Sequence, residues 1–521
     1  MCHCFMFRKS RLFCSSVGVV FFLSFCIFTL PARYVHSQDT LDELEFPRNR
    51  AWDDPVSRSF GTNLRHGLIA CGISLLSNGV LTLFNGYVTR MPWALPCAAS
   101  IRRNFTTPWK WEDTDGFLVN YLGHPVQGMI YFGAGRANGF GFYGSIFFAA
   151  FGSAAWELFG ESQLSSINDF YTTVPAGIVL GEITYRLFLQ ARAAGVPMPL
   201  AFLINPAASF QSLVTSWEPP QVENNFYDMR IYLAAAFGST YYSISGPLVH
   251  GGYAERFFHR GPLVDVGFRI AYGDPFVQNT WVPFRHFELA ASFGMDLGNH
   301  KDFRIFADGY LFSFSPLHTE RTALSTGLSL HMDFASIGQH GIIDGTIDMY
   351  SSALGWTAKH RQILFPSVGP ETIWRTRTHA GFTFFGASKF HYPAGRPRRP
   401  DYGDSRLTYE LNNFGFGFNL KHSSGLEIGR RSRLDISSFH YVMWPYPGTS
   451  ELTQGFTRWR FFDVSFSHLV SQRISLGTMF SRARERGSFE NFPDTQKNHW
   501  SIRTFVAWNG NQHLRHAGRS R

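Results

Sequence analysis

The chain has 521 residues, 16% charged and 17% aromatic, with 54 phenylalanines and a formal net charge of +9. Soluble domains carry about 25% charged residues, so much of this surface is not built for water, while a mean hydropathy of −0.10 is too polar for a bundle of transmembrane helices. Arg8, Lys9, Arg11 and Arg33 fall within the first 38 residues without an acid, which leaves +5 for the rest of the chain, too little and too dispersed for nucleic-acid binding.

Arg8, Lys9 and Arg11 precede an apolar run from Leu12 to Leu30, followed by Pro31 and the polar stretch Ser37-Gln38-Asp39-Thr40. This is the pattern of a secretory signal peptide over 1–37, and 38–59 reads as an extended leader. Four of the six cysteines lie in that first segment. Only Cys71 and Cys97 remain, so a disulfide-stapled scaffold is excluded, although one bridge between them fits an oxidising compartment.

Residues 60–215 read as an α-helical module. The run from His66 to Trp93 is long enough to cross a bilayer; Gly139 to Gly160 and Val179 to Leu189 are further apolar segments. They fit an inner-membrane unit or a buried bundle associated with a barrel, and the strands downstream favour the bundle. Glycines 128, 133, 135, 139, 144 and 152 suit close helix approach or, around 133–141, loops. Pro125 suits a first helical turn. Ser165, Ser166, Asn168 and Asp169 carry helix-capping chemistry.

Polar residues gather in the same region. His124, Glu157, Glu161 and Asp169 have the groups for acid–base hydrolysis, and are the catalytic candidates. Metal binding is not expected, because no paired-histidine spacing is present. Ser166 with His124 and Asp169 makes a triad on paper, without a nucleophile-elbow sequence. Asn120, Arg136, Asn168, Glu182 and Arg186 suit a structural polar network, with Glu182 and Arg186 four apart on one helix face. That structural role outweighs catalysis or ligand binding.

The string Asn120-Tyr-Leu-Gly-His-Pro, Arg136-Ala-Asn-Gly, Trp156-Glu-Leu-Phe-Gly-Glu, Ser166-Ile-Asn-Asp, Gly181-Glu-Ile-Thr-Tyr-Arg186 and Asn205-Pro206 resembles the uncharacterised bacterial envelope family known as domain of unknown function 3943, over about residues 110–215. The resemblance implies an exported protein in which a helical module precedes strands, and it brings no established activity. Gln211 and Ser216 depart from the basic residue and glycine expected after Asn205-Pro206.

From Phe226 to Trp508 one amphipathic strand follows another. Met229, Ile231, Leu233 and Phe237 alternate with Asp228, Arg230, Tyr232 and Ala234, a period of two. Leu324 to Phe334, Phe414 to Lys421, Ile474 to Ser481 and Trp500 to Trp508 repeat it. Many such strands reach about 10 residues, the length a tilted membrane strand needs. Longer connections are expected at His250 to Pro262, Gln362 to Thr378, Tyr392 to Ser405 and Glu485 to Lys497. Residues 396–400 are a basic run that suits solvent or anionic headgroups, and 509–521 form a polar tail.

The fold class is therefore α+β, an N-terminal α-helical module followed by a transmembrane antiparallel β-barrel of about 12 strands at 226–508. The expected location is the outer membrane. The expected function is a barrel in which the module is plug, gate or structural support, acting on small or lipidic solutes. The alternatives are an envelope lipid hydrolase with its site in the module, and an inner-membrane helical protein with a soluble β domain. Outer-membrane lipid and the barrel assembly machinery are the expected partners, with a lipid or small-molecule ligand; no cofactor, no metal and no nucleic acid is expected.

Overall fold

The computed structural model describes residues 59–510, apart from 92, 112–115, 216, 246–252, 259–262, 277–278, 296–299, 341–346, 365–370, 394–407, 430, 450–453 and 491. The signal peptide, the leader up to residue 58, the basic run at 396–400, Ser216 and the tail from residue 511 lie outside the described residues. The described chain forms two compact units, one of residues 116–121 and 226–510 and the other of 59–115 and 122–225.

The strands of the first unit are β1 (Phe226–Ser245), β2 (Tyr253–Phe258), β3 (Leu263–Tyr272), β4 (Phe287–Met295), β5 (His300–His318), β6 (Thr322–His340), β7 (Ile347–Leu364), β8 (Thr372–Pro393), β9 (Thr408–Ile428), β10 (Ser432–Pro445), β11 (Gly455–Leu469), β12 (Ile474–Phe489) and β13 (Phe492–Asn509). From β3 onward sequential neighbours pair antiparallel, and β13 returns to pair with β1 from Arg230↔Asn509 to Ser245↔Asp494. The other edge of β1 is shared: Phe226 to Ala236 pairs with β3, and Ser239 to Ile244 with β2. β2 and β3 together thus make one stave, and the thirteen strands close a barrel of twelve.

Polarity across the wall is the reverse of that in a soluble sandwich. On β13, Trp500, Ile502 and Val506 are exposed while Lys497, His499, Ser501 and Arg503 are buried. On β9, Phe418 and Leu420 are exposed and Asn419 and Lys421 are buried. A sandwich in water would bury the apolar row. An apolar outer wall around a polar interior is what a membrane barrel requires, and it corrects the alternative of a soluble β domain. At one place the wall is covered within the same unit. Phe334 and Tyr350 face each other in register on the outward row, and both are fully buried. Phe117 stacks on Phe334 at 5.9 Å and Tyr121 lies 5.2 Å from Tyr350.

Several strands run well past the expected ten residues, to 22 in β8, and they absorb part of the expected loops. The 250–262 connection contains β2, and the 362–378 connection contains the end of β7 and the start of β8. The stretch from Glu485 to Lys497 is a tight hairpin: Glu485 pairs in register with Lys497, and their side chains form a buried ion pair at 3.0 Å. Inward-facing charge makes a strand end resemble a loop.

The second unit consists of α1 (Phe60–Leu83, continued by a π-helical turn to Val88), α2 (Ala98–Thr106), α3 (His124–Ala137), α4 (Phe142–Phe159), α5 (Ile167–Ala193), α6 (Met198–Ala201) and α7 (Pro206–Thr215). α3 carries Pro125 in its first turn, after a π-helical turn at Val119–Gly123. α5 is longer than the apolar pattern shows, because it starts at a polar cap and tolerates Pro175 in its interior. The α3–α5 crossing rests on two glycines. A Cβ on Gly177 would stand 2.6 Å from the Cα of Gly128, and one on Gly128 would meet the backbone of Thr173. Gly135 sits against Ser145 and Phe148, Gly152 against Tyr131, and Gly139 turns the chain with a φ of 79°.

Two outcomes follow. Ile502→Arg, on the outer wall, should cost about 2–4 kcal/mol, and Ser501→Ala, on the inner wall, about 1 kcal/mol, read from urea titration of the protein folded in lipid vesicles; equal costs would contradict the inside–outside assignment. Gly128→Ala should lower the melting temperature markedly, whereas Gly144→Ala, with only ordinary contacts to Phe140, should be neutral or stabilising by up to about 1 kcal/mol.

Candidate functional site

In the helical unit the polar residues belong to three groups with different jobs. The first is the start of α5. Ser166 is the N-cap and its hydroxyl accepts the Asp169 backbone N–H at 3.3 Å. Asp169 sits in the first turn, where a carboxylate complements the helix dipole. Asn168 donates to Asp169 Oδ1 at 3.2 Å, and Thr172 donates to the Asn168 carbonyl at 2.7 Å. His124, on α3, places Nε2 3.6 Å from Asp169 Oδ1 and Nδ1 3.1 Å from Thr173 Oγ1. Glu157 Oε2 accepts the Ser166 backbone N–H at 2.7 Å, and the Glu157 carbonyl accepts from Ser165 at 2.9 Å and Asn104 at 3.1 Å. Glu157 is therefore a clamp between the end of α4 and the cap of α5. Glu161 is buried just beyond α4.

The second group is an ion-pair triad. Glu182 lies between Arg136 Nε at 2.8 Å and Arg186 Nε at 2.8 Å, and all three residues are fully buried. Arg136 also donates to the Phe140 carbonyl at 3.0 Å and lies 4.9 Å from the centre of the Tyr185 ring. The structure brings Arg136, Glu182 and Arg186 together. Asn120 lies outside this group, in the 116–121 segment, where its N–H donates to the Gly116 carbonyl at 3.1 Å.

The third group has Asn78 of α1 at its centre. Its amide donates to the Gly152 carbonyl at 3.1 Å, and its Oδ1 accepts from Gln127 at 3.2 Å and from the Tyr131 hydroxyl. Burial holds the Tyr131 phenol well above its ordinary range, so it stays a neutral donor. In the sequence Asn78 marks only an interruption of an apolar run; a lone amide inside such a run is the signal of a helix-to-helix tie. Gln211 replaces the expected basic residue and accepts from Asn138 at 3.2 Å, joining α7 to the end of α3. Cys71 and Cys97 are free thiols, not the disulfide that their isolation allowed. Among the described residues no group of three or more His, Cys, Asp or Glu side chains is placed to hold a metal.

The barrel interior is a second polar assembly, of which the strand pattern gives the face but not the pairing. Asp333 on β6 accepts from Lys421 on β9 at 2.6 Å and from the Tyr441 hydroxyl on β10 at 2.9 Å, with His331 Nε2 at 3.4 Å. Arg377 on β8 meets Asp308 on β5 at 2.6 Å, and Lys359 on β7 meets Glu288 on β4 at 2.8 Å. Arg503 on β13 meets Asp265 on β3 at 2.6 Å, and Arg433 on β10 meets Asp228 on β1 at 2.9 Å. None of the inter-strand pairs joins neighbouring staves; each spans two to four of the twelve along the inner wall, whereas Arg304 on β5 lies 3.7 Å from Asp463 on β11, the opposite stave. Ile337, Met349, Tyr441, Met443, Trp459 and Phe461 form an apolar cluster in the same interior. The barrel's own side chains pack against one another in its interior at these levels.

The fold is that of an outer-membrane β-barrel. Residues 108–207 match the family model described as Domain of unknown function (DUF3943). No curated protein matches the chain. Among solved structures, the Pseudomonas putida toluene transporter TodX is 8% identical with a TM-score of 0.24, covering 55% of this chain and 91% of its own. A Pseudomonas aeruginosa FadL homologue is 10% identical with a TM-score of 0.24 and the same coverages. The Escherichia coli outer membrane protease OmpT is 7% identical with a TM-score of 0.20, covering 55% of this chain and 98% of its own. At these scores the likenesses carry no argument, and strand pairing and wall polarity alone define the barrel.

Removing Glu182 leaves two guanidinium groups buried without it. Glu182→Ala should therefore cost about 3–5 kcal/mol, measured by chemical unfolding followed through tryptophan fluorescence. A cost near zero would show that the triad has no structural role.

Proposed function

We propose that the chain is exported through its signal peptide, inserted by the barrel assembly machinery, and stands in the outer membrane as an occluded barrel rather than an open pore. The observation that supports this reading is the meeting of side chains over the bore: Arg304 lies 3.7 Å from Asp463 on the opposite stave, and Asp333 binds Lys421 and Tyr441 three and four staves away. Buried ion pairs are screened little by salt, and breaking one by removing a single partner costs several kcal/mol, so the closure is persistent. A barrel already closed by its own side chains does not need the helical module to block it. Of plug, gate and structural support, structural support fits best. The engagement of Glu157 and Ser166 at helix ends favours the same role over catalysis by His124, Glu157, Glu161 and Asp169. The solute, if the bore opens, is small or lipidic, since the staves are drawn together by side chains rather than held around a water column.

The test is conductance in planar bilayers. The full-length protein should pass no sustained current, and the double variant Asp333→Ala with Lys421→Ala should raise conductance several-fold while folding is retained. Steady large-pore current from the unmodified protein would overturn the proposal.

A further inference from the structure

The helical unit contains one surface that its polar groups do not account for, the outer face of α1. From Gly67 to Thr89 the chain has no charged residue, and Arg65 and Arg90 bound the stretch. Those 23 residues span roughly 35 Å at about 1.5 Å per residue, against a hydrocarbon thickness of about 30 Å. The helix and its π-helical turn, Phe60–Val88, have a mean hydropathy of 1.8 in their most apolar window, of which only 22% is buried. A core helix of a soluble bundle would be mostly covered.

The way the polar residues are disposed is more telling than the composition. Asn78 and Asn85 are buried, and Asn78 spends its amide on Gly152, Gln127 and Tyr131. Ser74 returns its hydroxyl to the Ala70 carbonyl at 3.1 Å, and Thr82 donates to the Gly160 carbonyl at 2.8 Å. The side turned away from the unit carries Leu64, Leu68, Leu76, Val80 and Leu83, each about half exposed or more. Polar groups therefore point into the protein and apolar ones out, the same inversion that marks the barrel wall. In water that arrangement exposes a contiguous apolar face; in hydrocarbon it satisfies both sides, since Ser74, Ser77, Asn78, Thr82 and Thr89 find their hydrogen-bond partners within the protein. Arg65 and Arg90 at the two ends, with Tyr87 beside Arg90, are the residue types that anchor a helix at lipid headgroups.

We infer that α1 is a lipid-facing helix, whose outer face from Leu64 to Leu83 meets phospholipid acyl chains, so that the helical unit is itself a membrane-embedded body. This rests on the chain residing in a membrane, as proposed above, and adds a second lipid contact independent of the strands. A second protein copy on that face is the competing occupant, but the uncharged length matched to the bilayer and the paired basic ends favour lipid.

The experiment is nitroxide accessibility on the cysteine-free full-length chain in vesicles of phosphatidylethanolamine and phosphatidylglycerol. Labels are placed singly through Leu68→Cys, Val80→Cys, Val506→Cys on the barrel wall and Glu320→Cys in an exposed turn. Leu68 and Val80 labels should resemble Val506, with high collision rates for oxygen and rates for a soluble nickel chelate several-fold below those at Glu320. Nickel access at Leu68 and Val80 equal to that at Glu320, with Val506 still protected, would overturn the inference and leave the barrel standing. Protection from both reagents would overturn it in favour of a protein partner. Nickel access at Val506 as well would instead remove the membrane reading of the barrel.

Discussion

Closure of the sheet by β13 against β1 is the constraint on which the rest depends, because hydrocarbon offers no hydrogen bonds to an open strand edge. Sixteen register pairs, from Arg230↔Asn509 to Ser245↔Asp494, join the first strand to the last, 249 to 279 residues apart in the chain. Once the edge is gone, each stave has an inside and an outside. Alternation then sends Trp500, Ile502 and Val506 outward and Lys497, His499 and Arg503 inward. The low overall charge of the chain and its high aromatic content are consequences of that geometry: one face of each stave is spent on lipid.

The inward charges solve a problem that closure creates. A lysine or aspartate in a narrow bore loses much of its hydration, and it is tolerated only when paired and hydrogen-bonded. Lys421, Asp333 and Tyr441 meet this demand together, as do Arg503 and Asp265. Because the partners stand on staves that are not adjacent, the pairs also tie separate parts of the wall together, and Arg304 with Asp463 does so between opposite staves. The apolar cluster around Met349, Met443 and Trp459 adds close-packed volume in the same interior. This filled interior is the outcome of packing within a small barrel.

In the helical unit the buried polar groups are gathered at a few crossings. Gly128 and Gly177 let α3 and α5 approach at backbone distance. Around that crossing Glu182 holds two arginines, and Glu157 clamps the α4–α5 junction. Asn78 performs the same service for α1. Residues that could be enzymatic by type are thus engaged at helix ends and helix contacts.

The period-two pattern in the sequence was enough to establish the strands and their two faces, since alternation is a local property of consecutive residues; with strand length, low charge and many aromatics it pointed to a barrel of about twelve staves. Ser166, Asp169 and Pro125 marked helix starts for the same reason, and Glu182 with Arg186 was legible as a pair four residues apart. Arg136 was legible as a member of the polar network, but its pairing with Glu182, Asn78 as a tie among three helices, and the reach of Lys421 to Asp333 were not, because each partner is dozens of residues away and no local periodicity encodes it. The strand ends at Glu485 and Lys497 read as loop because charge in a sequence does not say whether it faces solvent or a closed interior. Local spacing determined which face each residue occupies; only closure of the sheet and packing of the helices decided what that face meets, since side chains remote in sequence become neighbours only when the backbone has come round.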